Sequence, residues 1–364
     1  MARYVFVTWD GGGNRMPTIT IARELAERGH DVRILGHDSQ ADAYRSAGLR
    51  FTAFASAPGF VLDPRPAGLL RLFSDRGLAD DTVALIAAFP ADVVVVDCTL
   101  FAVLDVLDRM EQRFAVLEHT LHDFLAAGAR VAVPVLWTRG IRVRAPRRHA
   151  APIVVASVPG FDVPFPPQRG LSAAPGEVVY AGAMTRAGAA QPTARTVVLS
   201  LSTFRFVDLV STWQRVLDAV DGLDARVVAT LGPAVAMGEL RIPRGIEVHE
   251  WMPHEDLFPE AALVVGHGGH GTTLAALAHG VPVLVLPLEP TSDQPRIGRA
   301  VARAGVGATM SRRSDAAAIR GAITQALADD AMRERARRLG DAIRTLDGPG
   351  RAADVLELSA ATGR

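Results

Sequence analysis

The sequence predicts an α/β protein of two doubly wound domains facing across a cleft. Three observations predict it. Short Val/Ile/Leu-rich runs alternate with Ala/Leu/Arg stretches of helical period, the pattern of parallel strands covered by helices. That series occurs twice along 364 residues, a length that suits two cores at about 150 residues per domain. Between the two series lies Ala187-Gly188-Ala189-Ala190-Gln191-Pro192, with the composition of a linker.

The first series opens with the strand Tyr4-Val5-Phe6-Val7-Thr8, followed by the loop Gly11-Gly12-Gly13. Pro17 suits the first turn of a helix, where a missing N–H breaks no bond. This helix is expected to run to about Arg28 and end at Gly29, with Ile21, Ala22, Leu25 and Ala26 as its apolar stripe. Val32 to Leu35, Asp92 to Asp97, and Arg113 to Leu117 follow as strands, the last ending at Glu118 and His119. Residues 51–90 and 118–150 read as irregular and rich in Pro and Arg. The second series begins near Thr196 and continues through Val197 to Leu201, Ala225 to Leu231, Ile246 to Val248, Leu263 to Val265 and Val283 to Leu286. The domains are therefore expected at 1–186 and 196–346, with a linker at 187–195 and a helix in 347–364 returning to the first domain.

Composition removes several chemistries. The 39 basic residues are all arginine and balance 39 Asp and Glu, so the net charge is 39 − 39 = 0. Without lysine there is no Walker A loop, no pyridoxal-phosphate Schiff base and no lysine nucleophile. Lysine and asparagine share AT-rich codons, so a GC-rich coding sequence accounts for the missing lysine, while Asn14, the one asparagine, is less easily dismissed. Zero net charge argues against nucleic acid or a membrane surface as partner. The single Cys98 excludes an internal disulfide framework and a cysteine-cluster metal site. No apolar run reaches the ~18 residues of a membrane span. MARYVFVTWDGGG breaks its apolar stretch at Asp10, unlike a signal peptide. The expectation is a cytoplasmic protein, with homodimerisation left open.

Gly11-Gly12-Gly13 fails as a dinucleotide fingerprint, because Met16 stands where a glycine is needed for close helix packing. The informative segment is WMPHEDLFPEAALVVGHGGHGTTLAALAHGVPVLVLPLEPTSDQ, from Trp251 to Gln294. It reads as strand, glycine turn, helix, a Gly280 cap and strand. Gly268, Gly269 and Gly271 admit a ligand close to the backbone. The helix is expected to open with Thr272 and Thr273, its unpaired N–H groups and positive dipole end suiting a diphosphate. His267 and His270 flank the turn as donors. Taken alone, the two histidines fit a metal site or a core pair equally well, but no third ligand lies at metal spacing.

This segment resembles the donor-binding signature of the family 1 glycosyltransferases, which have the GT-B fold of two Rossmann-like domains. The closest likeness is to actinobacterial enzymes that attach deoxysugars to natural products. It rests on W-x-P, H-x-G-x-x-[ST], G-V-P and D-Q, and it extends over nearly the whole chain. The resemblance implies that Trp251 stacks the nucleobase and Met252 touches it through its backbone. It places His267, Gly269 and the Thr272 region on the diphosphate, and Ser202 and Thr203 on a second phosphate-contacting turn. Asp293 and Gln294 would bind sugar hydroxyls. The simpler alternatives are a core aromatic for Trp251 and a loop cap for Asp293.

Two departures from the family pattern carry information. Many plant relatives place a glutamate three residues after the Ser/Thr, gripping the ribose; here that residue is Ala275, which favours a dTDP-sugar over a UDP-sugar. The family's H-x-x-P histidine, its general base, is replaced by Asn14 in Asn14-Arg15-Met16-Pro17. An amide takes no proton, so Asn14 is either a helix N-cap or a group that orients the acceptor. The implied reaction is inverting transfer from a nucleotide sugar to a small-molecule acceptor, whose pocket the first domain supplies. No cofactor or metal is expected, and the chain has no D-x-D pair. The candidate bases are Asp97, His119 and Asp10, in that order, with His122 one turn beyond His119. The alternative reading is a degenerate GT-B protein that binds a nucleotide sugar or partners another transferase without turnover.

Overall fold

The computed structural model describes residues 1–63, 65–142, 150–161, 176–190 and 195–362. The chain forms two compact units, Met1–Met184 with Gly348–Arg364, and Thr185–Asp347. Residues 191–194 of the expected linker lie outside the described residues.

The first unit holds strands β1 (Arg3–Val7), β2 (Asp31–Gly36), β3 (Arg50–Ala53), β4 (Val93–Asp97), β5 (Phe114–Glu118), β6 (Ala150–Val155) and β7 (Val178–Tyr180). Its helices are α1 (Arg15–Glu27), α2 (Ala41–Ser46), α3 (Pro66–Phe73), α4 (Arg76–Ala88), α5 (Phe101–Arg109) and α6 (His122–Thr138). The sheet is parallel in the order β3-β2-β1-β4-β5-β6-β7. Strand order therefore reverses between β1 and β4, the kind of switch point where doubly wound sheets bind ligands. The two-residue period of a strand decides what stands there. Val93 and Val95 of β4 pack with Ile21, Ala22 and Leu25 of α1, while Val94 and Val96 pack on the opposite face with α4 and α5. Asp97 has the parity of Val93 and Val95, so its carboxylate belongs on the α1 face.

The second unit holds β8 (Thr196–Ser200), β9 (Arg226–Thr230), β10 (Ile246–His249), β11 (Ala261–Gly266), β12 (Val283–Val285) and β13 (Gly307–Thr309). Its helices are α7 (Leu209–Val220), α8 (His254–Leu257), α9 (His270–Ala278), α10 (Gln294–Ala304), α11 (Ala316–Ala328) and α12 (Asp330–Leu346). The parallel order β10-β9-β8-β11-β12-β13 reverses between β8 and β11, where Ser200 pairs with Gly266. Trp213 of α7 is fully buried in this unit's core.

The chain then returns to the first unit as α13 (Gly348–Ala361), whose Ala352, Ala353, Val355 and Leu356 are buried against α1 and the first sheet. Arg28 reaches Asp354 at 2.6 Å and Glu357 at 2.9 Å, and His30 Nε2 lies 2.7 Å from Glu357. These pairs are partly exposed, so each contributes at most about 1 kcal/mol, and the apolar face carries the docking.

Several expectations change. Ala26 is exposed, and Ile19 takes its place beside Ile21, Ala22 and Leu25 on the buried face of α1. Residues 51–90 and 118–150 are not irregular: they contain β3, α3, α4 and α6, while 143–149 lie outside the described residues. In α4 the buried Leu78, Thr82 and Ile86 recur every four residues, and Asp75 caps the helix by accepting from Gly77 N. Among the described residues, no helix is long and apolar enough to cross a membrane.

Candidate active site

The glycine turn after β11 is a backbone device. Gly268 has φ +85°, and a Cβ there would meet Val285 Cγ1 at 2.8 Å and Gln294 O at 3.1 Å. A Cβ on Gly269 would stand 2.7 Å from the His267 ring. The turn thus admits the imidazole because Gly269 has no side chain, and it packs on Val285 and Gln294 because Gly268 has none. Helix α9 starts at His270, two residues before the expected Thr272, with Gly269 as N-cap and Thr273 N donating to Gly269 O at 2.9 Å. The first-turn N–H groups therefore belong to His270, Gly271 and Thr272, and they form an anion-binding end. His270 and Thr273 are buried and Thr272 is partly exposed. Burial pushes His267 down to about 4, so its imidazole is neutral near pH 7. Its Nδ1 has no hydrogen-bond partner among the described residues.

Trp251 is 72% exposed, which removes the core-aromatic alternative and leaves a ring face open for stacking. Met252 beside it is partly exposed. A contact the sequence reading missed anchors this segment. His254 Nε2 lies 3.1 Å from Ser200 Oγ at the end of β8, and its ring stacks on Phe258 at 4.6 Å. Burial lowers His254 to about 4. Ser202 is 2% exposed, and its Oγ accepts from Phe204 N at 2.9 Å, so its hydroxyl proton is what remains to offer a ligand. Thr203 is exposed.

Gln294 is buried, and its Oε1 accepts from Leu288 N at 2.7 Å and Glu289 N at 3.0 Å. That oxygen holds the loop that precedes α10, which leaves the amide nitrogen as the group for a ligand. Asp293 occupies the N-cap position of α10 without a side-chain capping bond.

In the first unit the residues of interest meet at the switch point. Asn14 holds the N-cap position of α1, yet its side chain makes no capping bond. It points instead at the strand ends: Nδ2 donates to Asp97 Oδ2 at 3.0 Å and to Trp9 O at 2.9 Å. Both partners are acceptors, which fixes the amide orientation. Asn14 Oδ1 is buried with no hydrogen-bond partner among the described residues, and the residue is 1% exposed. His119 Nδ1 lies 3.2 Å from the same Asp97 Oδ2. Thr99 N at 3.0 Å and Thr99 Oγ1 at 2.6 Å donate to Oδ1. Burial pushes the Asp97 carboxyl up, but His119, Thr99 and Asn14 outweigh it and hold it at about 2.

Asp10 belongs to a different group. Its N–H donates to His37 Nδ1 at 3.1 Å, and its Oδ2 accepts from Ser39 Oγ at 2.7 Å, which ties it to the β2 side. A second pair, His122 Nδ1 and Glu118 Oε2 at 2.8 Å, stands at the end of β5, where parity sends Glu118 and His119 to opposite faces. Cys98 lies between the pairs, and burial together with Asp97 and Glu118 pushes its thiol up. Asp97, Cys98 and His119 each offer a ligand atom, all within 4.8 Å of one another. This cluster joins two strands, so spacing along the chain did not reveal it.

Residues 214–357 match the family model described as erythromycin biosynthesis protein CIII-like, C-terminal domain. A tylactone mycaminosyltransferase of Streptomyces fradiae is 34% identical over 125 residues, 34% of this chain and 27% of that protein. A 4'-demethylrebeccamycin synthase of Lentzea aerocolonigenes is 25% identical over 98% of this chain and 99% of its own. Among solved structures, the calicheamicin glycosyltransferase CalG4 aligns over 99% of this chain and 98% of its own, with TM-score 0.76 and 22% identity. The glycosyltransferase VinC in complex with dTDP covers 99% and 100%, with TM-score 0.73 and 18% identity. The fold is that of the GT-B structures, residues 214–357 are similar to the erythromycin biosynthesis protein CIII-like C-terminal domain, and the relatives that the chain resembles include natural-product glycosyltransferases.

Proposed function

We propose that the protein transfers a sugar, a deoxysugar in our reading, from a dTDP donor to a small-molecule natural-product acceptor with inversion, and without a metal or other cofactor. The observation that carries this reading is the shared use of Asp97 Oδ2 by Asn14 and His119. A carboxylate with about four lone-pair sites, facing Asn14, His119 and two Thr99 donors, orients rather than abstracts. Its pKa of about 2 makes it a weak base near pH 7. His119 is therefore the base, ahead of Asp97, and Asp10 has no part in the dyad. With Nδ1–H turned to Asp97, His119 Nε2 takes the acceptor proton. The nucleophile attacks the anomeric carbon as the bond to the diphosphate oxygen breaks. Charge developing on the diphosphate is met by the N-terminus of α9 and by His267, which strengthens binding most in the transition state.

The dTDP assignment is supported by Ala275, which offers the ribose no carboxylate, and by the dTDP-bound relative of the same fold. An intact His–carboxylate pair at a position of its own counts against a degenerate binder. The deciding experiment is a panel of dTDP- and UDP-sugars with hydrophobic acceptors, read by mass spectrometry and by the anomeric configuration of the product. Nucleotide-sugar binding without any transfer across the panel would favour the binder.

A further inference from the structure

We propose that Asp97, Cys98 and His119 form a site for a borderline divalent ion of the zinc class, and that its occupancy switches the transferase off. One carboxylate, one thiol and one imidazole are a ligand set that zinc accepts, with a fourth position left for water. Hard ions such as magnesium and calcium need all-oxygen cages instead. The three ligand atoms lie within 4.8 Å of one another, with Cys98 Sγ 3.9 Å from Asp97 Oδ1 and His119 Nδ1 3.2 Å from Oδ2. Metal–ligand lengths of about 2.0–2.3 Å put tetrahedral ligands at about 3.3–3.8 Å, so the side chains need to close by no more than about 1.5 Å.

One further feature favours a cation. Asp97 and Glu118 are both buried and both act on Cys98, so a dication enters a negative field. On binding, the thiol proton leaves to solvent, and the thiolate, the carboxylate and an imidazole lone pair become the ligands. The ion thereby takes His119 and Asp97 away from the dyad. Inhibition follows only if the dyad serves transfer, as proposed above; the metal site itself stands apart from that.

The test separates the two. Cobalt(II) is titrated into chelator-treated full-length protein, in the wild type, Cys98→Ser and His119→Ala, with folding checked by circular dichroism. A near-ultraviolet thiolate-to-cobalt charge-transfer band is expected in the wild type, absent in Cys98→Ser, and in His119→Ala shifted to at least about tenfold higher cobalt. Absence of the band in the wild type, or its persistence in Cys98→Ser, overturns the site. In transfer assays, zinc is expected to inhibit the wild type reversibly with chelator, and Cys98→Ser at no less than about tenfold higher zinc. Equal zinc sensitivity of the two proteins overturns the switch. A protein that transfers no sugar but shows the cobalt band refutes the transferase reading and leaves the site standing.

Discussion

Asn14 and His119 address the same oxygen. One comes from the start of α1 and the other from the residue after β5, and they stand 3.0 Å and 3.2 Å from Asp97 Oδ2. The family pattern puts a histidine at position 14, bonded to an aspartate; here an amide keeps that bond and an imidazole reaches the carboxylate from another strand. His119→Ala is expected to lower kcat by about 10²–10⁴ with little change in donor KM. Asp97→Asn lowers kcat too, by presenting the wrong tautomer. Asn14→Ala costs less than either, since it removes one of the donors on the carboxylate. Steady-state kinetics checks the order, and full turnover by His119→Ala would remove the base assignment.

Gly269 separates the proposed phosphate-binding role of the α9 turn from simple tight packing. A Cβ added there meets His267 Cε1 at 2.7 Å and Nε2 at 2.9 Å, with only the ring in the way. Gly269→Ala therefore displaces the imidazole without crowding the backbone. The expected result is a fall in kcat of about tenfold or more, with the melting temperature nearly unchanged. Gly268→Ala differs, because its φ of +85° and its contact with Gln294 O strain the fold by about 1–3 kcal/mol. If both variants lose stability equally, the imidazole contact is not the reason for Gly269.

How much of this was legible beforehand follows from local physics. The buried strands β1, β4, β8 and β11 announce themselves through unbroken Val/Leu runs, and the α9 turn through its glycines. The edge strands β3 and β13 did not: RFTA is largely exposed and GAT is three residues long, so neither carries an apolar signature. The start of α9 was placed two residues late because Gly271 reads as loop, although a glycine is tolerated in a first helical turn. Asn14 stands out in the sequence as the one asparagine, but its contact with Asp97 spans 83 positions, and His119 reaches the same oxygen only because β4 and β5 are neighbours. Ser200 and His254 are likewise far apart along the chain, and no local pattern joins them.

Four histidines that burial lowers, His37, His254, His267 and His279, set the acid response. His37, His254 and His267 are held at about 4 by burial, against about 6.5 in an unfolded chain. The folded state keeps them neutral while the unfolded chain takes up protons below about 6.5. Their stabilising contribution is thus complete above that pH and is lost as pH falls from about 6.5 to 4, at about 1.4 kcal/mol per pH unit for each. Asp97 acts lower down: its contribution is complete above about 4 and disappears as pH falls through about 2. Melting temperatures between pH 7.5 and 4.5 are expected to fall steadily, with a shallower slope in His254→Gln. An unchanged slope in that variant would mean that His254 is not buried neutral.

The donor nucleotide is testable at one residue. Ala275 lies in the second turn of α9 and is partly exposed, one turn along from the N–H groups proposed to face the diphosphate. A carboxylate there accepts from ribose hydroxyls, and a ribose offers two where a 2'-deoxyribose offers one. Hydrogen bonds to charged groups contribute about 1.5–3 kcal/mol, so the second hydroxyl shifts preference by about tenfold or more. The position is beyond the first turn, so a new negative charge gains little from the dipole and costs the diphosphate site little. Ala275→Glu is therefore expected to raise the ratio of kcat/KM for a UDP-sugar over the matching dTDP-sugar by about tenfold, with melting temperature maintained. The measurement is a competition between the two donors in one reaction. A ratio that does not move would show that Ala275 stands away from the ribose, and the dTDP reading would lose its support from the sequence.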